Sequence, residues 1–435
     1  MTPDPKIVKS IEKLDYRVTV GDVAAQAGLE LNFAQQGLLA LASEAGGHLQ
    51  VAETGDIVYS FPKNFRSILR NKYWQLRWQQ SWSKIWKVLF YIIRVSFGII
   101  LIASILLMMV AIIAIAVALN SSNDDREGDR GGNYGGGGIY FLPRFWLGDL
   151  FWWFDPGYSH RRRRQKRQSS GNNSQMNFLE AVFSFLFGDG DPNADLEAQR
   201  YSDIGAVIRR HQGAVVAEQI APYVDQTDAD EDYILPILSR FNGYPEVSPQ
   251  GEIIYYFPEL QVTASRRSIH QITSFDYLQE KLWRFSQASS GQITLAAGLG
   301  ALNIILALVL GSLLRDGTIA AQLGGVVAFA ASIYWVLLGY GILYLLIPLG
   351  RYFWIQGRNP KIQQRNQARE QRALNLRQPD PALQQKIVYA NQFANQKVID
   401  AGDVAYTTED DLLDQEIKNR DQSDRDWEQR LESGS

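Results

Sequence analysis

The order of apolar and polar positions divides this chain into membrane-like runs and amphipathic stretches. Residues 95–119 carry no charge over 25 positions, enough helix to cover about 37 Å against a hydrocarbon core of about 30 Å. Residues 293–314 and 319–349 are two further apolar runs, separated only by RDGT at 315–318, which predicts a helical hairpin. Gly298, Gly300, Ala301, Gly324, Gly325, Ala328, Ala330 and Ala331 lie inside these runs and predict close helix approach in lipid. Asn303 is expected to face a neighbouring helix. IYFLPRFWLGDLFWWFDP (139–156) is aromatic but broken by Arg144, Asp149 and Asp155. It predicts an interfacial or re-entrant segment, or a helix packed on the spans.

The polar parts repeat. GDVAAQAGLELNFAQQGLLALASEAGGHLQVAETGDIVYSFP (21–62) resembles GAVVAEQIAPYVDQTDADEDYILPILSRFNGYPEVSPQGEIIYYFP (213–258). VAAQ at 23–26 aligns with VAEQ at 216–219, and GDIVYSFP with GEIIYYFP, with three extra residues in the second copy. Helical spacing followed by two alternating strands around a Gly turn predicts helix, turn, helix and hairpin in each. That pattern resembles a winged helix. The fold class expected is a mainly α membrane protein, with transmembrane helices and two duplicated winged-helix-like α+β soluble modules.

The predicted organisation begins with module 1 (1–63), a basic Trp-rich connector helix (64–94) and transmembrane helix 1 (95–119). A Gly-rich acidic loop (120–138), the aromatic segment (139–156) and a basic linker (157–174) come next. Module 2 (175–262), a connector helix (263–291), transmembrane helices 2 (292–314) and 3 (318–349), and a polar helical tail (350–435) complete the chain.

Charge changes this picture locally. The net charge is only −3, but residues 63–87 hold seven Lys/Arg and no acid. There Trp74, Trp78, Trp82 and Trp86 recur every fourth residue beside Arg70, Arg77 and Lys84 at intervals of seven. A four-residue step turns a helix by 400°, so the tryptophans sweep an arc of about 120° beside a basic stripe. Straight continuation into the span would lift the upper tryptophans above the headgroups, so protein packing of this face is favoured over lipid contact. Trp283 and RYFWIQ (351–356) are the expected cover. Trp146, Trp152 and Trp153, with Arg161, Arg162, Arg163 and Arg164 of HRRRRQKR (160–167), form a second aromatic and basic set suited to anionic lipid headgroups. Basic residues flanking the spans put the polar modules on the cytoplasmic side. Residues 175–290 share that side only if the chain returns across the membrane within 120–160.

Chemistry is sparse. There is no cysteine, and four scattered histidines have no ligand spacing. GDGDPNAD (188–195) has alternate oxygen ligands but Ala194 and Arg200 where a calcium loop needs Gly and Glu, so a turn with Asp191 as N-cap and Pro192 opening a helix is expected. GGNYGGGG (131–138) lacks the Lys-Ser/Thr of a phosphate loop and reads as a linker. The start, MTPDPKIV, lacks a basic then apolar signal pattern. DNA binding needs basic and base-reading side chains, yet LNFAQQGLLALASEAGG has none basic and DADEDYILPILSRFNG is acidic.

MNFLEAVFSFLFGDGDPNADLEAQRY (176–201) and GYPEVSPQGEIIYYFPELQ (243–261) resemble a conserved family of cyanobacterial and chloroplast membrane proteins, over most of residues 138–350. Plant members are labelled an iron–sulfur cluster biosynthesis family, but a chain without cysteine lacks the usual cluster ligands. The resemblance implies a photosynthetic context, in a plasma, thylakoid or plastid membrane. The expected function is non-enzymatic: a membrane-anchored scaffold or assembly factor with a protein partner or a second copy, anionic lipid around it and no cofactor. The alternatives are a membrane-tethered DNA-binding regulator and a transporter or channel component.

Overall fold

The computed structural model describes residues 4–72, 74–121, 177–228, 230–264, 277–315 and 317–411, with 415–417, 420 and 427 beyond them. It divides into two units. One is Met1–Phe90 with Gly190–Arg284 and Phe353–Ser435; the other is Tyr91–Asp189 with Phe285–Tyr352.

The first unit opens with α1 (Pro5–Lys13), β1 (Arg17–Thr19), α2 (Val20–Ala27), α3 (Leu31–Ala45), β2 (His48–Ala52) and β3 (Ile57–Ser60). Asp4 caps α1, and Thr19 and Asp22 form a reciprocal capping box on α2. Gly28 and Gly46 end α2 and α3 in the left-handed region. The strands pair antiparallel in the order β1-β3-β2. Helices α4 (Phe65–Lys72) and α5 (Trp74–Ser121) follow, then α6 (Phe178–Phe187).

A second set comprises α7 (Leu196–Arg210), β4 (Ala214–Val215), α8 (Ala217–Ile220), α9 (Leu235–Phe241), β5 (Tyr244–Val247) and β6 (Ile253–Tyr256). Its strands run β4-β6-β5. Asp15 and Tyr16 before β1 have positive φ, as do Gln212 and Gly213 before β4. Tyr16 N–H donates to Ile11 and Gly213 N–H to Ile208; Phe61 N–H donates to Tyr16 and Phe257 N–H to Gly213. Gly55 and Gly251 turn the two hairpins at φ +86 and +88. By these pairings Thr19 stands with Val216, not Val23 with Val216. The VAAQ–VAEQ string match is displaced by four residues, close to one helical turn, a slip that apolar helical periodicity permits.

Short α10 (Pro258–Gln261) and β7 (Val262–Thr263) follow β6. Helices α2 and α7 pack backbone to backbone: a Cβ on Gly205 would strike Ala25, and one on Gly28 would strike Ala198 and Ser202. Beside them the buried Asp22 carboxylate accepts from Arg209, from Thr263 Oγ1 at 2.8 Å and from Ala264 N–H at 3.0 Å. Ile7, Val23 and Leu38 thereby share one core with Ile208, Phe241 and Phe257.

Among the described residues, the second unit contains parts of three helices long and apolar enough to cross a membrane: Val88–Leu119 within α5, α11 (Ser290–Leu313), and Tyr334–Arg377. α12 (Thr318–Leu323) and α13 (Gly325–Ser332) precede α14 (Tyr334–Arg377). Residues 318–349 are therefore not one span, because Gly324 and Gly325 take positive φ and break the helix. α5 packs parallel to α11 and antiparallel to α14: Leu101 and Ile105 cluster with Ala296, Leu299 and Tyr344, while Met108 and Ile115 cluster with Leu310 and Leu337. Close approach rests on Gly300 against Tyr344, Gly341 against Asn303 and Gly311 against Tyr334; Gly298, Gly324 and Gly325 seat nothing. Asn303 donates to Ser104 on α5, as a polar group facing a neighbouring helix should.

The four places where the chain enters or leaves this unit are tied together. Arg94 pairs with Asp189 at 3.3 Å, Asp189 accepts from Gln287 N–H and Ser184 Oγ, and Ser184 meets Ser286. Arg351 donates to the Ser184 and Phe185 carbonyls at the end of α6 and lies over Phe285. Helix α6 thus belongs with the apolar helices, so the second polar module does not begin at 175.

The tail departs most from expectation. α14 continues to Arg377, then α15 (Pro381–Ala390), β8 (Lys397–Val398) and β9 (Val404–Thr407) fold back within the first unit. β8 pairs parallel with β7, and β9 adds antiparallel to β2 as the fourth strand of its sheet. The stretch 277–289 is irregular rather than helical.

Candidate functional site

The connector 277–289 is rich in helix formers, yet side chains of neighbouring elements take its backbone groups. Asn366 accepts from Glu280 N–H at 2.9 Å and donates to its carbonyl at 2.8 Å. Asn359 holds Trp283 in the same way, at 2.9 and 3.0 Å. Asn193 grips Lys281 with its own amide. Seven helical residues rise about 10.5 Å, and three extended residues cover about 10 Å, so the spacings match.

Charge locks this clamp. Arg369 is fully buried, donates to Glu280 and to the Leu278 carbonyl, and pairs with Asp225; Arg365 forks onto Glu280 at 2.6 and 2.7 Å. Burial alone would lift the Glu280 and Asp225 carboxyls, but these guanidiniums outweigh it and hold both below the ordinary range. Arg372 spends its donors on the Ala221, Val224 and Asp225 carbonyls. A cleft of about 600 Å³ lies beside it, lined by Glu218, Tyr233, Glu252, Asp380 and Lys386 among others. Lys386 is buried and bonded to Glu231 at 2.7 Å and Glu218 at 3.0 Å. The cleft's cations therefore serve to dock α14 and α15.

A different surface is open. On α3, Asn32, Phe33, Gln35, Gln36, Leu39 and Ser43 face outward with no basic residue among them, Glu44 is half-buried beside them, and Phe33 and Leu39 are 45% and 53% exposed. This is the helix that would enter a DNA groove in a winged helix.

The tryptophan ladder lies on α5, where Trp82 and Trp86 remain 56% and 55% exposed. Within the expected cover, Trp283 and Trp354 pair edge-to-face at 5.0 Å. The side chains of Trp74, Trp78, Arg70, Arg77 and Lys84, and the whole of Trp146, Trp152, Trp153 and Arg161, Arg162, Arg163 and Arg164, lie outside the described residues. So do the loop 122–138, the aromatic segment 139–156 and the basic linker 157–174.

In GDGDPNAD, Asp189 is bound to Arg94, Ser184 and Gln287, and Asp191 accepts from Asn193 N–H at 2.8 Å. The turn is present, but α7 starts at Leu196, not at Pro192. Among the described residues no group of His, Asp and Glu is placed to hold a metal ion. With no cysteine in the chain, the residues present do not fit an iron–sulfur cluster. Sequence reading missed the Asn359, Asn366 and Arg369 face, whose one signal was a heptad of polar residues on α14.

The chain is similar to the Arabidopsis thaliana protein "Uncharacterized protein At5g03900, chloroplastic". The two are 38% identical over 97% of this chain and 81% of that protein. No protein-family model matches the chain, and no solved structure matches it.

Proposed function

The chain belongs to the family of this chloroplastic Arabidopsis protein, and from that premise we propose that it is a non-enzymatic scaffold or assembly factor in a photosynthetic membrane, plastid or cyanobacterial. The three apolar helices support membrane insertion. The shared strand orders, positive-φ pairs and hairpin bonds support reading residues 4–62 and about 201–258 as two copies of a winged-helix-like module. The observation that carries the protein-contact reading is the outer face of α3. A surface with exposed Phe33 and Leu39 and no basic residue suits a protein partner and not a polyphosphate.

The tie among Arg94, Asp189, Gln287 and Arg351 supports a reading of sidedness. If all four chain passages lie at one end of the apolar helices, the polar parts face one compartment and Arg315 faces the other. The chain has no native cysteine, so single Cys at Ser43, Gln250 or Arg315 reports this with an impermeant maleimide. Ser43 and Gln250 should label from one side and Arg315 from the opposite side.

The partner reading is tested by a photo-crosslinking residue at Phe33 or Leu39 in native membranes. One reproducible protein adduct is expected, lost when the other position is changed to Asp. A salt-dependent shift of duplex DNA by the chain, with no adduct, would favour the tethered-regulator alternative.

A further inference from the structure

We propose that Arg358, seated on Trp283 and Trp354, is a headgroup site for an anionic phospholipid at the boundary of the membrane. This rests on the reading that α14 crosses a membrane. From Tyr334 to Gly350 that helix carries no charge; Trp354 follows Gly350 by four residues, about 6 Å of rise, which puts its ring at headgroup level. The Arg358 guanidinium reaches back one turn to lie 5.1 Å from the Trp354 ring centroid and 5.7 Å from that of Trp283. Long helical side chains lean toward the helix N-terminus, which here is toward the membrane.

The site is pre-organised. Asn359 fixes both backbone groups of Trp283, and the two rings hold each other edge-to-face. Arg358 is exposed and forms no ion pair among the described residues, so its planar fork of donors is open to a phosphate. Arg284 follows Trp283, and Lys361 stands one turn along α14; both are exposed. The nearby carboxylate, Glu280, is buried and already neutralised by Arg365 and Arg369. The surface offered is therefore aromatic and cationic, with the aromatic part nearer the apolar span, which is the polarity of a lipid headgroup above its acyl chains. A free phosphate would use the cation alone.

The test uses the full chain reconstituted in vesicles of equal phosphatidylglycerol and phosphatidylcholine, then extracted mildly and assayed for retained lipid. Phosphatidylglycerol should be enriched over phosphatidylcholine, and Arg358→Gln should lower that enrichment about fivefold. Lys361→Gln, which removes no contact of the fold, should lower it in the same direction. Inorganic phosphate at millimolar concentration should leave the enrichment unchanged. Equal retention of the two lipids, enrichment indifferent to Arg358→Gln and Lys361→Gln, or displacement by inorganic phosphate overturns the proposal. A chain that fails to enter vesicles at all defeats the membrane reading instead, so the two failures are distinguishable.

Discussion

The hairpins β2–β3 and β5–β6 match residue for residue from Gly47 to Pro62 and from Gly243 to Pro258, yet the same C-terminal tail meets them in opposite ways. It adds β9 to the edge of β2, through the backbone. It lays α15 on the other sheet, with Leu383, Ile387 and Ala390 against Val216 and Ile254. One position accounts for the difference. Along β2, Gln50 faces β3 while Leu49 and Val51 turn their amides outward; Leu49 N–H donates to Thr408 Oγ1 and its carbonyl accepts from Thr408 N–H. The counterpart of Leu49 is Pro245, which has no N–H, so that edge cannot accept a strand in the same register. A single residue type thus decides whether a hairpin edge can be extended by main-chain bonds.

Breaking the side-chain docking should have the largest effect. Lys386→Met leaves the half-buried Glu231 without its cation and should destabilise the first unit by about 2 kcal/mol, read as a lowered unfolding midpoint. Proteolysis should then begin near residues 381–395 while β9 stays protected. Next, transplanting the block as Leu49→Pro should cost about 2 kcal/mol through the lost edge bonds. Hydrogen exchange at 404–407 should rise, with α15 unaffected; unchanged protection there would refute the edge argument.

A third test uses α1 and α7, the first helices of the two sets. By the same pairings Asp203 on α7 stands where α1 has Lys6. Burial pushes the Asp203 carboxyl up to about 6, against a smaller opposing hydrogen bond from Gln199. A raised carboxyl favours the folded state when protonated, so stability should fall as pH climbs from about 4 through 6. Asp203→Asn should raise the unfolding midpoint by about 2 °C at pH 8 and leave it unchanged at pH 4. The smallest effect is expected from Pro245→Leu, under about 0.5 kcal/mol on folding. It restores an outward N–H, and concentration-dependent self-association measured by sedimentation should increase.

Much of this was readable from residue order because it is local. Uncharged length marks a span, an apolar stripe marks a helix face, and Gly55 or Gly251 inside an alternating run marks a hairpin. The interhelical role of Asn303 was legible for the same reason, since a lone amide in a span needs a partner. The lack of a basic residue on α3 was legible as well. Other features failed in identifiable ways. Residues 277–289 have helical propensity, but Asn193, Asn359 and Asn366 outbid the helix for their backbone groups. The tail read as a polar helix because β9 is four residues long and its pairing partner lies more than 350 positions away.

The sequence by itself determined the apolar runs of α5 and α11, the hairpins and the lack of a basic residue on α3, since these depend on neighbours within a turn or a strand. Only the tertiary structure decided the contacts that span long separations. Those are the seating of Tyr344 on Gly300, the burial of Arg369 between Asp225 and Glu280, the strand β9 on β2, and Arg358 on two tryptophans from different segments. Such contacts depend on where distant side chains meet after folding, and propensity and periodicity carry no information about that distance.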